Sequence, residues 1–482
     1  MKKDKNNKLH RELNARLLSM IAIGGSIGTG IFLASGTAIH TAGPGGTMLA
    51  YLMTGIMVYF LITSLGEMAA FMPTTGSFYV YASKFVDPAL GYALGWNYWY
   101  NWAITIASEI SAATLVMDFW LPHSSPLLWS SLFLGIFVAL NALSARGFGE
   151  AEYWFSLIKV TVIIIFIITG TAMVLGIIHF DGAGFKNWTI GDGPFHGGWS
   201  AIFGAFIIAG FSFQGTELIG IASGESENPR QTIPKAVSRV FWRILLFFVL
   251  SIFIISLLIP YTSPQLASTD VQVSPFTLVF KQLGITFAAS LMNAVILTAI
   301  LSAGNSGMYA ATRMLWYLSK EGHVPAIFKK VTRSGVPLYA LLATTLVATL
   351  TFLSSRFGNG TVYFWLLNAS SLSGFIAWLG IAISHYRFRK AYVKQGRDLN
   401  QLPYLAKGYP YAPLIAFGLC LVIIAGQNYQ AFLADHINWY GVIVSYIGVP
   451  LFLTLWLGYK WVKKTKVVDL DKASFKYEPT SS

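Results

Sequence analysis

Apolar residues in this chain come in long runs parted by short polar loops. That is the pattern of bilayer-crossing helices, not of alternating strands or of the two-faced helices of a soluble core. About twelve runs reach spanning length, near 17–39, 45–71, 92–117, 126–143, 153–178, 199–222, 237–260, 284–306, 337–355, 362–385, 411–433 and 439–460. The first is interrupted at its centre by Gly24-Gly25-Ser26-Ile27-Gly28-Thr29-Gly30, and the sixth by Gly210-Phe211-Ser212-Phe213-Gln214-Gly215-Thr216-Glu217. Each glycine costs a helix about 1 kcal/mol against alanine, and in lipid a freed backbone group finds no water. Close helix packing by small residues is the competing reading. So many glycines beside Ser and Thr, echoed in a second run, point instead to a polar cavity between half-helix ends. Counting five runs from each break gives units over 17–178 and 199–385. An odd number of runs per unit inserts the two in opposite orientations, leaving 411–460 outside the repeat and short polar tails over 1–16 and 461–482. The expected fold is all-α, an integral membrane protein of about twelve helices with a 5+5 inverted-repeat core, helices 1 and 6 broken.

Composition agrees. Of the 482 residues, 55% are hydrophobic and 11% charged, against about 25% charged in soluble domains. A net charge of +13 would invite nucleic acid, but its placement explains it otherwise. With the N-terminus inside, 29 of the 33 Lys and Arg fall on the inner side; Lys186, Lys281 and Arg356 lie outside and Lys159 within a run. The reading is a multi-pass protein of a bacterial cytoplasmic membrane with both termini cytosolic, its basic loops touching anionic lipid. The lone cysteine, Cys420, excludes an intramolecular disulfide. The first run has no small-residue cleavage site behind it and reads as a retained helix. The eight histidines show no metal-ligand spacing, and no Walker loop or catalytic triad appears. The segment Gly25–Gly30 is only loosely like a dinucleotide loop, with no strand before it. No enzyme activity and no cofactor are expected.

The segments MIAIGGSIGTGIF (20–32), AGPGG (42–46), GWNYWYNWAITIA (95–107), RGFGEAEYWFSLIKVT (146–161), GFSFQGTELIGIASGESENP (210–229) and LSAGNSGMYAATRML (301–315) carry a resemblance over nearly the whole chain. It is to the amino acid permeases of the amino acid–polyamine–organocation superfamily, and it implies their LeuT-like fold and alternating access around a midplane site. Within the superfamily the likeness is greatest to bacterial carriers of lysine. That implies import of L-lysine, or another cationic amino acid, by symport with protons. A broader carrier or exchanger of arginine and ornithine is the nearer alternative. A lysine sensor acting on a membrane regulator is the alternative of a different class.

A free amino acid brings a carboxylate and an ammonium. The N–H groups and hydroxyls of Ser26, Ile27, Gly28, Thr29 and Gly30 would receive the carboxylate at a half-helix N-terminus. Carbonyls around Ile23 and Gly24, with those of Phe211 and Ser212, would accept from the α-ammonium. A side-chain ammonium needs an opposing charge in a dry site. Glu109, mid-run on helix 3, is the choice, because an intramembrane acid is costly and functional by default. Its bland alternative is a hydrogen bond to Ser108, Ser111 or a neighbouring helix. Glu217, beside the second break, reads as a proton-binding or gate-stabilising residue or as a structural bond to the unwound backbone, and Glu67, near a run's end, as structural. In sodium-independent members of the superfamily a lysine on helix 5 stands where others hold sodium; the resemblance gives that place, and the proton coupling, to Lys159. Trp102, Phe211 and Phe213 are candidate walls and gates, where cation–π contact with an ammonium is available.

Overall fold

In the computed structural model the chain is described at residue 9 and over 11–143, 145–267, 274–282, 286–433, 437 and 439–476. Among these residues every element is helical. The helices are α1 Ala15–Gly24, α2 Ser35–Phe71, α3 Ser77–Phe85, α4 Pro88–Met117, α5 Pro126–Asn141, α6 Ala145–Val174, α7 Gly198–Phe213 and α8 Leu218–Ala222. After them come α9 Pro229–Leu258, α10 Pro275–Gln282, α11 Thr286–Lys320, α12 Leu338–Ala348, α13 Asn359–Lys394, α14 Tyr411–Gly426, α15 Trp439–Tyr446 and α16 Gly448–Lys463, single turns aside.

Both expected breaks are realised as gaps in helical structure. α1 stops at Gly24, residues 25–28 leave the helix, and a π turn over Gly30–Ala34 leads into α2. α7 stops at Phe213 and α8 starts at Leu218, with 214–217 in a turn. The first two expected runs are joined without a loop. The helix kinks inside α2 at Gly43, whose φ of 71° suits glycine, and Pro44 follows at the restart.

Among the described residues six stretches are long and apolar enough to cross a membrane: Gly30–Phe71, Arg146–Val174, Gly198–Glu225, Phe287–Lys320, Leu338–Phe357 and Asn359–Lys394. Shorter apolar helices lie over Pro126–Asn141, Leu245–Leu258 and Tyr411–Gly426. The packed centre is α4 against α11 and α13, with α2 against α7 and α9. Around it stand helices with bare apolar sides: Ile168, Leu346 and Val422 are 65%, 73% and 57% exposed. In water such contiguous apolar flanks would drive association; against acyl chains they are the natural outer surface. This is a multi-pass membrane protein.

The tails are more than polar ends. The backbones of Leu13 and Ser226 form a parallel bridge, with Leu13 N–H bonded to Glu225 O at 3.0 Å and Glu227 N–H to Leu13 O at 3.0 Å. At the other end Phe475 packs edge-on against Phe71 and Phe388, and Val468 N–H meets Val86 O at 2.9 Å. Asp87 caps α4 through Ala89 N–H at 2.9 Å and pairs with Lys460. Burial pushes its carboxyl up, but the hydrogen bonds from Lys460, Ala89 and Thr465 win and hold it below the usual carboxylate range.

Glu67 has the structural setting expected of it. Its buried carboxylate takes a two-pronged bond from Arg389, with Nε at 2.7 Å, and another from Ala406 N–H at 2.7 Å. Removing one partner of a buried pair costs about 3–5 kcal/mol because a charge is stranded. Arg389→Met is therefore expected to lower the melting temperature of the purified protein strongly, and the double change Glu67→Gln with Arg389→Met to recover part of the loss. Equal melting of Arg389→Met and wild type would refute the pair's role.

Candidate functional site

The two breaks abut. A Cβ on Gly30 would lie 2.5 Å from Ser212 Cα, and one on Gly215 would lie 2.2 Å from Gly25 O. Gly215 also has φ +98°, so both its conformation and its clearance demand glycine. Gly215→Ala is expected to cost about 1–3 kcal/mol of stability, read by thermal melting. Wild-type behaviour of that variant would contradict the packing of break on break.

Between them lies a closed pocket lined by Gly25, Ser26, Gly28, Gly30, Trp102, Thr105, Glu109, Phe211, Gln214 and Ala303. Only enough space for roughly one water-sized sphere is open in it, so any larger ligand enters only if the walls move. Glu109 is buried, and its Oε1 accepts from Thr29 Oγ1 at 3.0 Å while Oε2 has no partner. A Cβ on Gly28 would come within 2.9 Å of Oε1. The carboxylate therefore stands at the N-terminal end of the half-helix that begins at Thr29, where backbone N–H groups and the helix dipole favour an anion. Sequence reasoning gave that position to the substrate's carboxylate alone. Of the bland alternatives, the bond to a neighbouring helix is the one formed, through Thr29, while Ser111 Oγ bonds to Ala107 O and Thr351 instead of to Glu109.

Trp102 and Phe211 both line the pocket, and the Trp102 indole N–H has no acceptor. Phe213 does not line it. Its ring turns outward onto Phe248, centroids 4.7 Å apart, because residues 211 and 213 fall on different sides of α7. Ile23 and Ile27 are buried and lie outside the lining. The carbonyls assigned to the α-ammonium already hold donors: Ile23 O takes Ser26 Oγ at 2.8 Å, Gly24 O takes Lys159 Nζ, and Phe211 O takes Gln214 N–H at 3.2 Å. Ser212 Oγ pairs with Tyr51 OH at 2.8 Å.

Lys159 is fully buried behind the first break. Its bond to Gly24 O puts a cation at the C-terminal end of α1, the negative end of that half-helix. Thus a buried acid and a buried base each meet the end of opposite sign in one broken helix. Lys159 has a partner that sequence reasoning missed, Glu152, with Oε1 at 3.8 Å from Nζ and 2.5 Å from Ser302 Oγ. Glu152 was passed over because hydropathy starts the fifth run at 153, whereas α6 starts at Ala145. The signal was spacing: an acid seven residues before Lys159 lies two turns away on the same helix face.

Glu217 is held by the second break itself. Its carboxylate accepts Gly215 N–H at 3.1 Å, Tyr98 OH at 3.3 Å and Trp378 Nε1 at 3.4 Å, tying the turn to α4 and α13. Gln214 extends the tie through Ser370, which also bonds Asn101 Oδ1 at 3.0 Å. A second missed acid, Glu225, is buried against Arg313 at 3.0 Å and Tyr309 at 2.7 Å.

Comparison with known proteins places this geometry. A family model described as amino acid permease matches residues 18–472. The chain is 61% identical, over 97% of its length and 96% of the relative's, to the lysine-specific permease LysP of Escherichia coli (strain K12). It is 51% identical to the lysine-specific permease LysP of Lactococcus lactis subsp. cremoris (strain MG1363), over 96% of this chain and 92% of that one. The histidine permease HisP of the same Lactococcus strain is 46% identical over 98% of this chain and 99% of its own. The chain belongs to the amino acid permease family, and it is a transporter rather than an enzyme.

Proposed function

From that membership we propose that the chain imports L-lysine by proton symport, in a bacterial cytoplasmic membrane with both termini inside. One observation carries the cationic substrate: a buried carboxylate, Glu109, faces the pocket between the two breaks with an oxygen unpartnered. An acid there strongly favours a ligand that brings positive charge. The relatives named for lysine support lysine within that class. Twelve spans, a 5+5 inverted repeat and rocking of one helix group about the site complete the reading.

In the bound state the amino acid's carboxylate takes the Thr29 hydroxyl and the N–H groups of 28–30. That frees Glu109 to turn to the side-chain ammonium. Phe211 and Trp102 close over the substrate's stem. Lys159, charged, holds Gly24 O and the end of α1; giving up its proton to the inner side, with Glu152 beside it, releases that end and couples the proton to the opening.

The test is equilibrium binding of radiolabelled lysine to the purified protein with unlabelled competitors. Lysine is expected to bind saturably, arginine and ornithine to compete at least tenfold more weakly, and leucine not at all. Equal competition by arginine would make this a broader cationic carrier, and competition by leucine would remove the role given to Glu109.

A further inference from the structure

A second cavity lies away from the two breaks, on the flank between α4, α13, α14 and α16. It is a groove of about 310 Å³ whose lining is aliphatic and aromatic throughout, including Leu94, Ile376, Ile383, Phe417, Leu421 and Trp456. Leu421 is 46% exposed, so the groove opens on the outer side of the helices, where acyl chains lie. The lining offers a polar solute almost nothing to bond, its one polar side chain being the Trp456 indole, whose N–H is buried without an acceptor.

One end of the groove is basic. Arg387 stands four residues beyond Ile383 on α13 and Lys460 four beyond Trp456 on α16, so each continues the groove's own face by one turn. Val86, which also lines the groove, is followed by Asp87, and Asp87 pairs with Lys460. Among the described residues Arg387 pairs with no acid: its guanidinium donates to two carbonyls, Phe85 O at 2.6 Å and Val468 O. Carbonyls fix the side chain but do not neutralise it, so this end keeps a net positive charge. Tyr92 and Tyr459 stack beside it with centroids 4.2 Å apart, the amphipathic rings expected at headgroup depth.

We propose that this groove is a binding site for one anionic glycerophospholipid. An acyl chain fills the apolar length, the Trp456 N–H donates to an ester oxygen, and the phosphate sits against Arg387 and Lys460. Basic pockets between membrane helices recognise headgroups in this way. The occupant is a lipid because the site joins an apolar channel about two helical turns long to a cationic mouth, and lipid alone among membrane components is apolar along its length and anionic at one end. The site also has a mechanical consequence. Its four helices include α4, which carries Glu109 and Trp102, and α13, which carries Trp378 and Ser370. A bound lipid would brace the two walls that hold the second break.

The experiment is native mass spectrometry of the full chain, released from detergent after incubation with an equimolar mixture of phosphatidylglycerol and phosphatidylethanolamine. Wild type is expected to retain one phosphatidylglycerol in at least fivefold preference. Leu421→Trp, which fills the groove, is expected to lower retention of that lipid about tenfold, and Arg387→Gln to remove the headgroup preference while a lipid is still held. Each variant is accepted only if it elutes as one species and melts like wild type; Leu379→Trp replaces Leu421→Trp if that variant does not. Equal retention of the two lipids by wild type overturns the proposal, as does undiminished retention when the groove is filled. So does a wild-type dimer that Leu421→Trp dissociates, since a second copy would then occupy the face. None of these readouts depends on lysine being the substrate.

Discussion

Glu109→Gln is expected to lower lysine uptake at least a hundredfold, about 2.7 kcal/mol at 1.36 kcal/mol per tenfold. The change is nearly isosteric. A glutamine Oε1 still accepts from Thr29 Oγ1, so the 3.0 Å bond across the first break survives and the protein should fold and melt as wild type does. What disappears is the negative charge in a buried pocket, where a substrate ammonium has no water to replace its lost hydration. The loss should appear as weakened binding, because the charge meets the substrate at rest as well as in passage. Uptake within twofold of wild type would mean that the side-chain ammonium is held elsewhere, and the reading of the pocket between the breaks would be wrong.

Lys159→Met is expected to remove gradient-driven accumulation, by at least tenfold, while leaving exchange of external labelled lysine for internal lysine measurable. Methionine keeps much of the volume but offers no donor, so Gly24 O loses its partner and Glu152 loses its cation. Losing that donor strands a buried carbonyl, costing about 1–3 kcal/mol, and the end of α1 is no longer pinned. Separating accumulation from exchange distinguishes a coupling residue from a merely structural one, since a structural loss would depress both. Accumulation equal to wild type would contradict the coupling role. Glu152→Gln should shift the pH dependence of accumulation without abolishing it, because Lys159 keeps its bond to Gly24.

Much of this was legible in the sequence because lipid imposes strict rules on backbone. A glycine-rich interruption in an apolar run has few stable explanations at membrane depth, so both breaks could be located to within a residue or two. The acids and the base within apolar runs were visible for the same reason: such groups are too costly to be incidental. Pairings between helices distant in sequence were not visible. Thr29 and Glu109 are 80 residues apart, and Glu67 and Arg389 are 322 apart. Side-chain direction was hidden as well, which is why Phe213 was grouped with Phe211 although its ring leaves the pocket. Hydropathy also misplaces helix starts wherever a polar first turn precedes the apolar stretch, and Glu152 fell into that gap. The tails read as polar and basic, yet Leu13 and Phe475 anchor both onto the helix ends; single apolar residues in a polar tail leave no periodic trace. Asp270, which the run boundaries place in the loop after the seventh run, lies outside the described residues.

The deciding measurement is uptake of radiolabelled lysine into sealed proteoliposomes containing this chain as their only protein, in sodium-free buffer, with and without an inward proton gradient. Accumulation above the external concentration with the gradient, collapsing when a protonophore dissipates it, is the predicted result. Accumulation that requires sodium, or equilibration that ignores the proton gradient, would contradict proton-coupled lysine import.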